Sequence, residues 1–143
     1  AALVLDAATI AEHIAATATR AVQGLQRGSV VLRTSRSVIT TGAARTPLEI
    51  SRTIASALTD TVRRIAEGAT LGWVIAKGGI TSHELLTSAF GVRPAEVSGQ
   101  ALPGIVPVLD IAIEGTSTPY VIFPGNVGDH RTLSRILDRL VGP

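Results

Sequence analysis

Trp73-Val74-Ile75-Ala76-Lys77-Gly78-Gly79-Ile80-Thr81-Ser82-His83-Glu84 is the stretch on which the reading of the fold turns. Its apolar run reads as a buried strand and its paired glycines as a turn. Thr81, with Glu84 three residues on, is the capping-box pattern of a helix start. A strand that runs through glycines into a helix gathers unpaired backbone N–H groups and the positive end of a helix dipole in one place. Phosphate is stabilised by such an arrangement. Without a Cβ, the glycines let a ligand oxygen approach the main chain and tolerate a left-handed turn. Lys77, the one lysine in the chain, adjoins the turn. The spacing matches neither G-x-x-x-x-G-K-[ST] nor G-x-G-x-x-G, so a phosphate held here sits in a different kind of loop. Similar corners also occur in α/β domains that bind nothing at them.

Towards the C-terminus the pattern repeats in Phe123-Pro124-Gly125-Asn126-Val127-Gly128-Asp129. A strand again enters glycines, and Asp129 is placed to cap a last helix with Leu133, Ile136, Leu137 and Leu140 on its inner face. Two such corners on one sheet would converge on a single ligand. Between them, the spacing predicts a helix over 82–90 stopped by Gly91, and a short strand over 96–100. A turn-rich crossing follows through Ala101-Leu102-Pro103-Gly104-Ile105-Val106-Pro107. Strands over 108–113 and 119–123 then form a hairpin with the five-residue connection Glu114-Gly115-Thr116-Ser117-Thr118.

Upstream, Ile10, Ile14, Ala18, Val22 and Leu25 recur at helical spacing over 7–27, with His13 off the stripe and read as a solvated side chain. Val30-Val31-Leu32 is expected to be a buried strand. It leads into Arg33-Thr34-Ser35-Arg36-Ser37, whose hydroxyls and guanidiniums suit an anion at a strand's carboxyl end. Thr46-Pro47-Leu48-Glu49 starts a second helix, the cleanest amphipathic stretch in the chain, with Ile50, Ile54, Leu58, Val62 and Ile65 on one face. The expected architecture is α/β: a single domain over 1–143, a three-layer mixed sheet flanked by helices.

At 143 residues the chain is long enough to bury a core without staples, and it has no cysteine to form them. A reducing cytoplasm suits that composition. The net charge of +2 hides thirteen cations, all arginine except Lys77, spread thinly along the chain. With aromatic residues at only 3%, this is not a nucleic-acid-binding platform. No apolar run approaches the roughly 20 residues of a membrane span, and residues 1–5 lack the charged flank and cleavage site of a signal peptide. The chain opens without methionine and contains none, which reads as a piece of a longer protein.

Catalytic kits are missing. No serine has a histidine and an orienting carboxylate in a defensible pattern. His13, His83 and His130 do not form H-x-x-x-H or H-E-x-x-H, so no metal ligand set is read. Asp110 and Glu114 would share a strand face but have no evident partner for acid–base work.

Thr34-Ser35-Arg36, Lys77-Gly78-Gly79-Ile80-Thr81-Ser82, Gly99-Gln100-Ala101-Leu102-Pro103-Gly104-Ile105-Val106-Pro107 and Phe123-Pro124-Gly125-Asn126-Val127-Gly128, in that order, resemble the four-carbon acid sugar kinase family. The likeness is to its C-terminal nucleotide-binding domain and runs over nearly the whole chain. It implies nucleotide contacts from Ser35, Gly78, Gly79, Ile80, Thr81, Gly125, Asn126 and Gly128, with Lys77 and Arg36 as the nearest cations for a phosphate. It further implies ATP or ADP as ligand, Mg²⁺ with it, and a four-carbon sugar acid held by a separate N-terminal domain that also carries the acceptor's base. The isolated segment would then be inactive. Many members carry a lysine before the last glycine turn, where this chain has Phe123-Pro124. Two readings follow: the ATP-binding domain of a sugar-acid kinase, or a non-catalytic ligand-binding or assembly module on the same fold. Self-association is left open. A dinucleotide-dependent oxidoreductase is disfavoured by the absence of G-x-G-x-x-G.

Overall fold

The computed structural model describes residues 7–35 and 46–141. The chain divides into two compact units, Ala1–Ala69 and Thr70–Pro143.

The first unit is helical. α1 (Ala7–Leu25) and α2 (Pro47–Gly68) pack together, burying Ile14, Ala18 and Ala21 of one and Ile50, Ile65 and Ala66 of the other. α2 starts where its residues dictate. The Glu49 N–H donates to Thr46 Oγ1 at 3.3 Å, and Glu49 Oε2 accepts from the Thr46 N–H at 2.7 Å, with Pro47 opening the first turn. A Cβ added at Gly68 would lie 3.0 Å from Val22 Cγ2, so glycine permits a close approach there. His13 is exposed on α1, as expected from its place off the apolar stripe. The strand expected at Val30-Val31-Leu32 does not form, and Val31 is 82% exposed. Three apolar residues have a strand's composition, but a strand exists only where a neighbouring edge takes up its N–H and C=O groups. The four-stranded sheet lies wholly in the other unit.

The second unit is built on β1 (Val74–Lys77), β2 (Glu96–Leu102), β3 (Val106–Ile113) and β4 (Thr116–Phe123), in the spatial order β1-β4-β3-β2. β1 and β4 run parallel, with Lys77 level with Phe123, while β4–β3 and β3–β2 are antiparallel. The sheet is therefore mixed, as expected. After β1 comes α3 (Gly79–Glu84), which continues into a π-helical segment (Leu85–Ala89), and α4 (Thr132–Val141) follows β4. Alternation along β4 assigns the helices to opposite faces. Tyr120 points to α3, its hydroxyl donating to the Ser82 carbonyl at 2.9 Å. Val121 and Phe123 join Ile136 of α4 in a core with Ala101 and Val106. The result is a sheet between two helical layers, with the central strand β4 buried on both sides.

Three local expectations are corrected. The hairpin connection is two residues rather than five: Ile113 pairs with Thr116, and Glu114 and Gly115 take φ of 47° and 77°. Both central residues left-handed define the tight turn whose twist matches the strands. The polar run Thr116-Ser117-Thr118 reads as loop, yet its β-branched threonines suit a strand. Thr118 is fully buried because its hydroxyl is satisfied by the Leu71 and Thr116 carbonyls. The crossing at 101–107 is tighter than expected, with β2 running on to Leu102 and β3 starting at Val106. Pro107 is tolerated because the β3–β4 ladder begins at Val108 and the β2–β3 register shifts beside it. Finally, α4 buries Thr132 and Ile136 and packs Leu140 against the core as expected, whereas Leu133 is 41% exposed.

Candidate functional site

Parallel pairing of β1 with β4 brings the two glycine corners to the same end of the sheet. The Gly78 N–H donates to the Phe123 carbonyl at 2.8 Å, carrying the β1–β4 ladder into the first corner. A Cβ placed on Gly125 would lie 3.9 Å from Gly78 Cα, so the corners touch main chain to main chain. Lys77 closes the contact. Its Nζ donates to the Gly125 carbonyl at 3.3 Å and stands 4.3 Å above the Phe123 ring centre. With the ammonium exposed, such a contact contributes about 0.5–1 kcal/mol. This lysine thus ties one corner to the other while its head remains exposed.

The first corner differs from its expected chemistry in one respect. Thr81 does not cap the helix. Gly78, at φ 102°, is the N-cap, no side chain takes that role, and α3 starts at Gly79. The positive φ lets the chain turn into the helix three residues early, a conformation Thr81 could not supply from within the helix. The first intrahelical bond runs from the Ser82 N–H to the Gly78 carbonyl, 2.9 Å. The N–H groups of Gly79, Ile80 and Thr81 come before it and have no acceptor within the helix. Ile80 is 80% exposed beside them, and a Cβ on Gly79 would meet nothing within 4 Å.

The second corner is held by Asp129, which accepts from the Arg131 N–H and the Thr132 hydroxyl at 2.9 Å each. The Thr132 hydroxyl oxygen in turn accepts from the Asp129 N–H at 2.7 Å. Those bonds, the Thr132 one foremost, hold the Asp129 carboxyl below the ordinary aspartate value. α4 begins at Thr132, so Asp129 fixes the turn leading into the helix. Gly128 has φ 89°, and a Cβ there would come 2.6 Å from Thr132 Oγ1, so only glycine fits.

Of the residues singled out from the sequence, Lys77, Gly78, Gly79, Ile80, Thr81, Gly125, Asn126 and Gly128 lie on these two adjoining corners. Ser35 is exposed in the helical unit, and Arg36 lies outside the described residues. Asp110 is occupied on its exposed face by the Ser117 hydroxyl at 2.6 Å. Sequence reading missed Ser82 and Tyr120, which lie buried behind the first corner. Their signal was a hydroxyl-bearing residue on the inner turn of the helix and the chain's one tyrosine inside an apolar strand. Burial pushes the Tyr120 phenol well above its ordinary range, so it remains a donor at neutral pH.

Neighbouring parallel strands whose following helices pass to opposite faces open a crevice beyond their carboxyl ends, the usual ligand seat of open α/β sheets. By fold, the second unit is such an α/β ligand-binding architecture. Residues 1–133 match the family described as the nucleotide-binding C-terminal domain, and the chain belongs to that family, the C-terminal domain of four-carbon acid sugar kinases. No curated protein matches the chain in sequence. A crystal structure from Salmonella typhimurium LT2, provisionally described as a tRNA synthase, has a similar fold with a TM-score of 0.62 at 20% identity. The similarity covers 94% of this chain and 32% of that one, so the chain spans about a third of that protein's length.

Proposed function

We propose that this chain is the ATP-binding domain of a kinase that transfers the γ-phosphoryl group to a hydroxyl of a four-carbon, tetronate-type sugar acid. The observation that carries the reading is the direct contact of the Gly78 and Gly125 corners at the carboxyl ends of two parallel strands. Together they are close enough to engage one polyphosphate. The free N–H groups of Gly79, Ile80 and Thr81 would hold phosphate oxygens, aided by the turn through Asn126 and Gly128. Lys77 supplies the local cation in place of the motif lysine, exchanging the Gly125 carbonyl for a phosphate oxygen. Ser35 and Arg36 are assigned to the nucleotide through the family likeness alone.

In the reaction, an acceptor oxygen attacks the γ-phosphorus, the bond to the β,γ-bridging oxygen breaks and ADP leaves. The acceptor's proton passes to a base on a separate substrate domain. Such transfers depend mostly on positioning and charge neutralisation, so this segment alone is inactive. Mg²⁺ bound with ATP would neutralise phosphate charge. Among the described residues no group of three or more His, Asp or Glu side chains could hold a metal, and Asp129 is already engaged by Thr132 and Arg131. The chain's described side chains therefore offer no dedicated Mg²⁺ cage.

Calorimetry on the natural full-length protein tests the reading. ATP and ADP should bind more tightly than NAD, and a panel of four-carbon sugar acids should support ATP turnover. Binding without turnover of any acid would favour a ligand-binding or assembly module, and no nucleotide affinity at all would refute the proposal.

A further inference from the structure

Ser82 is 1% exposed and Tyr120 fully buried, and both act on the backbone of the first corner without reaching its surface. The Ser82 hydroxyl lies 2.7 Å from the Gly78 carbonyl and 3.0 Å from the Ala76 carbonyl. A bond from a helical hydroxyl to the carbonyl four residues back is commonplace here, as in Thr19, Ser51, Thr53, Thr61 and Thr87. Ser82 differs in reaching out of its helix to Ala76 in β1. It thereby spans the strand–helix junction and restrains residues 76–78 from behind.

The Ser82 carbonyl is held in turn. It lies where α3 passes into the π-helical segment, and there it accepts from the Leu85 N–H and from the Tyr120 hydroxyl at 2.9 Å. Beyond this point the ladder lengthens to five residues, as in the Phe90 N–H to Leu85 carbonyl bond of 3.0 Å. The Tyr120 ring is set edge-on to Phe90, with centroids 6.1 Å apart at 79°, which leaves its hydroxyl little freedom. A path of hydrogen bonds thus runs from the central strand through Ser82 to both carbonyls that flank Lys77.

We propose that Ser82 and Tyr120 are positioning residues for the nucleotide's phosphates: they touch no ligand but fix the direction of the Gly79, Ile80 and Thr81 N–H groups. This rests on the nucleotide reading above. Alanine is a better helix former than serine, and a buried hydroxyl has a desolvation cost unless it is bonded. A role confined to filling space would therefore leave Ser82→Ala folded and fully functional.

Ser82→Ala, Ser82→Thr and Tyr120→Phe in the full-length protein separate the cases. Ser82→Ala should unfold cooperatively, bind ATP at least tenfold more weakly, and raise the KM for ATP while leaving that for the acid unchanged. Ser82→Thr, which keeps the hydroxyl, should restore most of the affinity. Tyr120→Phe removes only the O–H and should weaken binding about threefold, and the double variant should lose less than the product of the two. Without ligand, hydrogen exchange at the Gly78 and Ser82 amides, which donate to the Phe123 and Gly78 carbonyls, should accelerate in Ser82→Ala and Tyr120→Phe relative to exchange in the β3–β4 hairpin. Folded Ser82→Ala protein that binds ATP within twofold of the parent would overturn the proposal, as would unchanged exchange at those two amides. Parent protein with no nucleotide affinity overturns the kinase reading itself, an outcome visible before any variant is made.

Discussion

Substituting valine for Gly79 separates ligand approach from folding, because the two glycines of the first corner do different things. Gly78 has φ 102°, so any side chain there strains the backbone, whereas Gly79 is helical and its Cβ would enter open space. Folding should hardly notice Gly79→Val. Valine ranks above glycine in helix propensity by a few tenths of a kcal/mol, and no neighbour has to move. The space the isopropyl group fills is, on our reading, where phosphate oxygens meet the N–H groups of Gly79 and Ile80. Hydrogen bonds to charged acceptors contribute about 1.5–3 kcal/mol each, so losing two weakens binding by roughly 3–6 kcal/mol. At about 1.4 kcal/mol per decade, that is a loss on the order of 10² to 10⁴ in Kd. Titration calorimetry with ATP, run beside urea unfolding of the same variant, measures both quantities. A valine variant that folds like its parent and binds ATP within threefold of it would refute backbone capture at this corner.

At Gly128 the opposite balance holds: alanine suffers both the left-handed φ, about 1–2 kcal/mol, and overpacking against Thr132, about 1–3 kcal/mol. Gly128→Ala should lower unfolding free energy by about 2–5 kcal/mol in urea titration, and a loss below about 0.5 kcal/mol would contradict the packing described. Lys77→Met removes the Gly125 contact and the cation over Phe123 while keeping an apolar stem. We expect stability to fall by no more than about 1 kcal/mol and ATP affinity to fall several-fold, with weaker salt dependence of binding than in the parent; unchanged salt dependence would remove Lys77 from the site. Asp129, whose carboxyl is held below the ordinary value by Thr132 and Arg131, stabilises the fold at neutral pH. That contribution is lost as pH falls from about 4 through its lowered folded value. The thermal midpoint of Asp129→Asn should therefore converge on that of the parent in acid; a gap unchanged between neutral pH and the acid limit would show that the carboxylate does not act this way.

How far the residues could be read depended on the range of the forces involved. Helix α2 was legible to the residue because its start is local chemistry: Thr46, Pro47 and Glu49 satisfy one another within a single turn. The two glycine corners were legible for the same reason, since left-handed backbone and absent Cβ atoms are written in the residue type. Ser82 was not legible as a brace, because its second acceptor, Ala76, becomes available only once strand and helix are folded against each other. Val30-Val31-Leu32 misled because composition cannot tell a paired strand from an exposed segment.

By itself, then, the amino-acid order determined an α/β chain with two glycine corners, each ending a strand, and the motif order that marks its family. Strand neighbours came only with the tertiary structure. Pairing β1 in parallel with β4, some fifty residues apart in the chain by the Lys77–Gly125 separation of 48, depends on which apolar faces α3 and α4 can cover together. No local pattern encodes that choice. It is this pairing that sets Gly78 against Gly125, and so turns two separate backbone corners into the one place where we propose that phosphate sits.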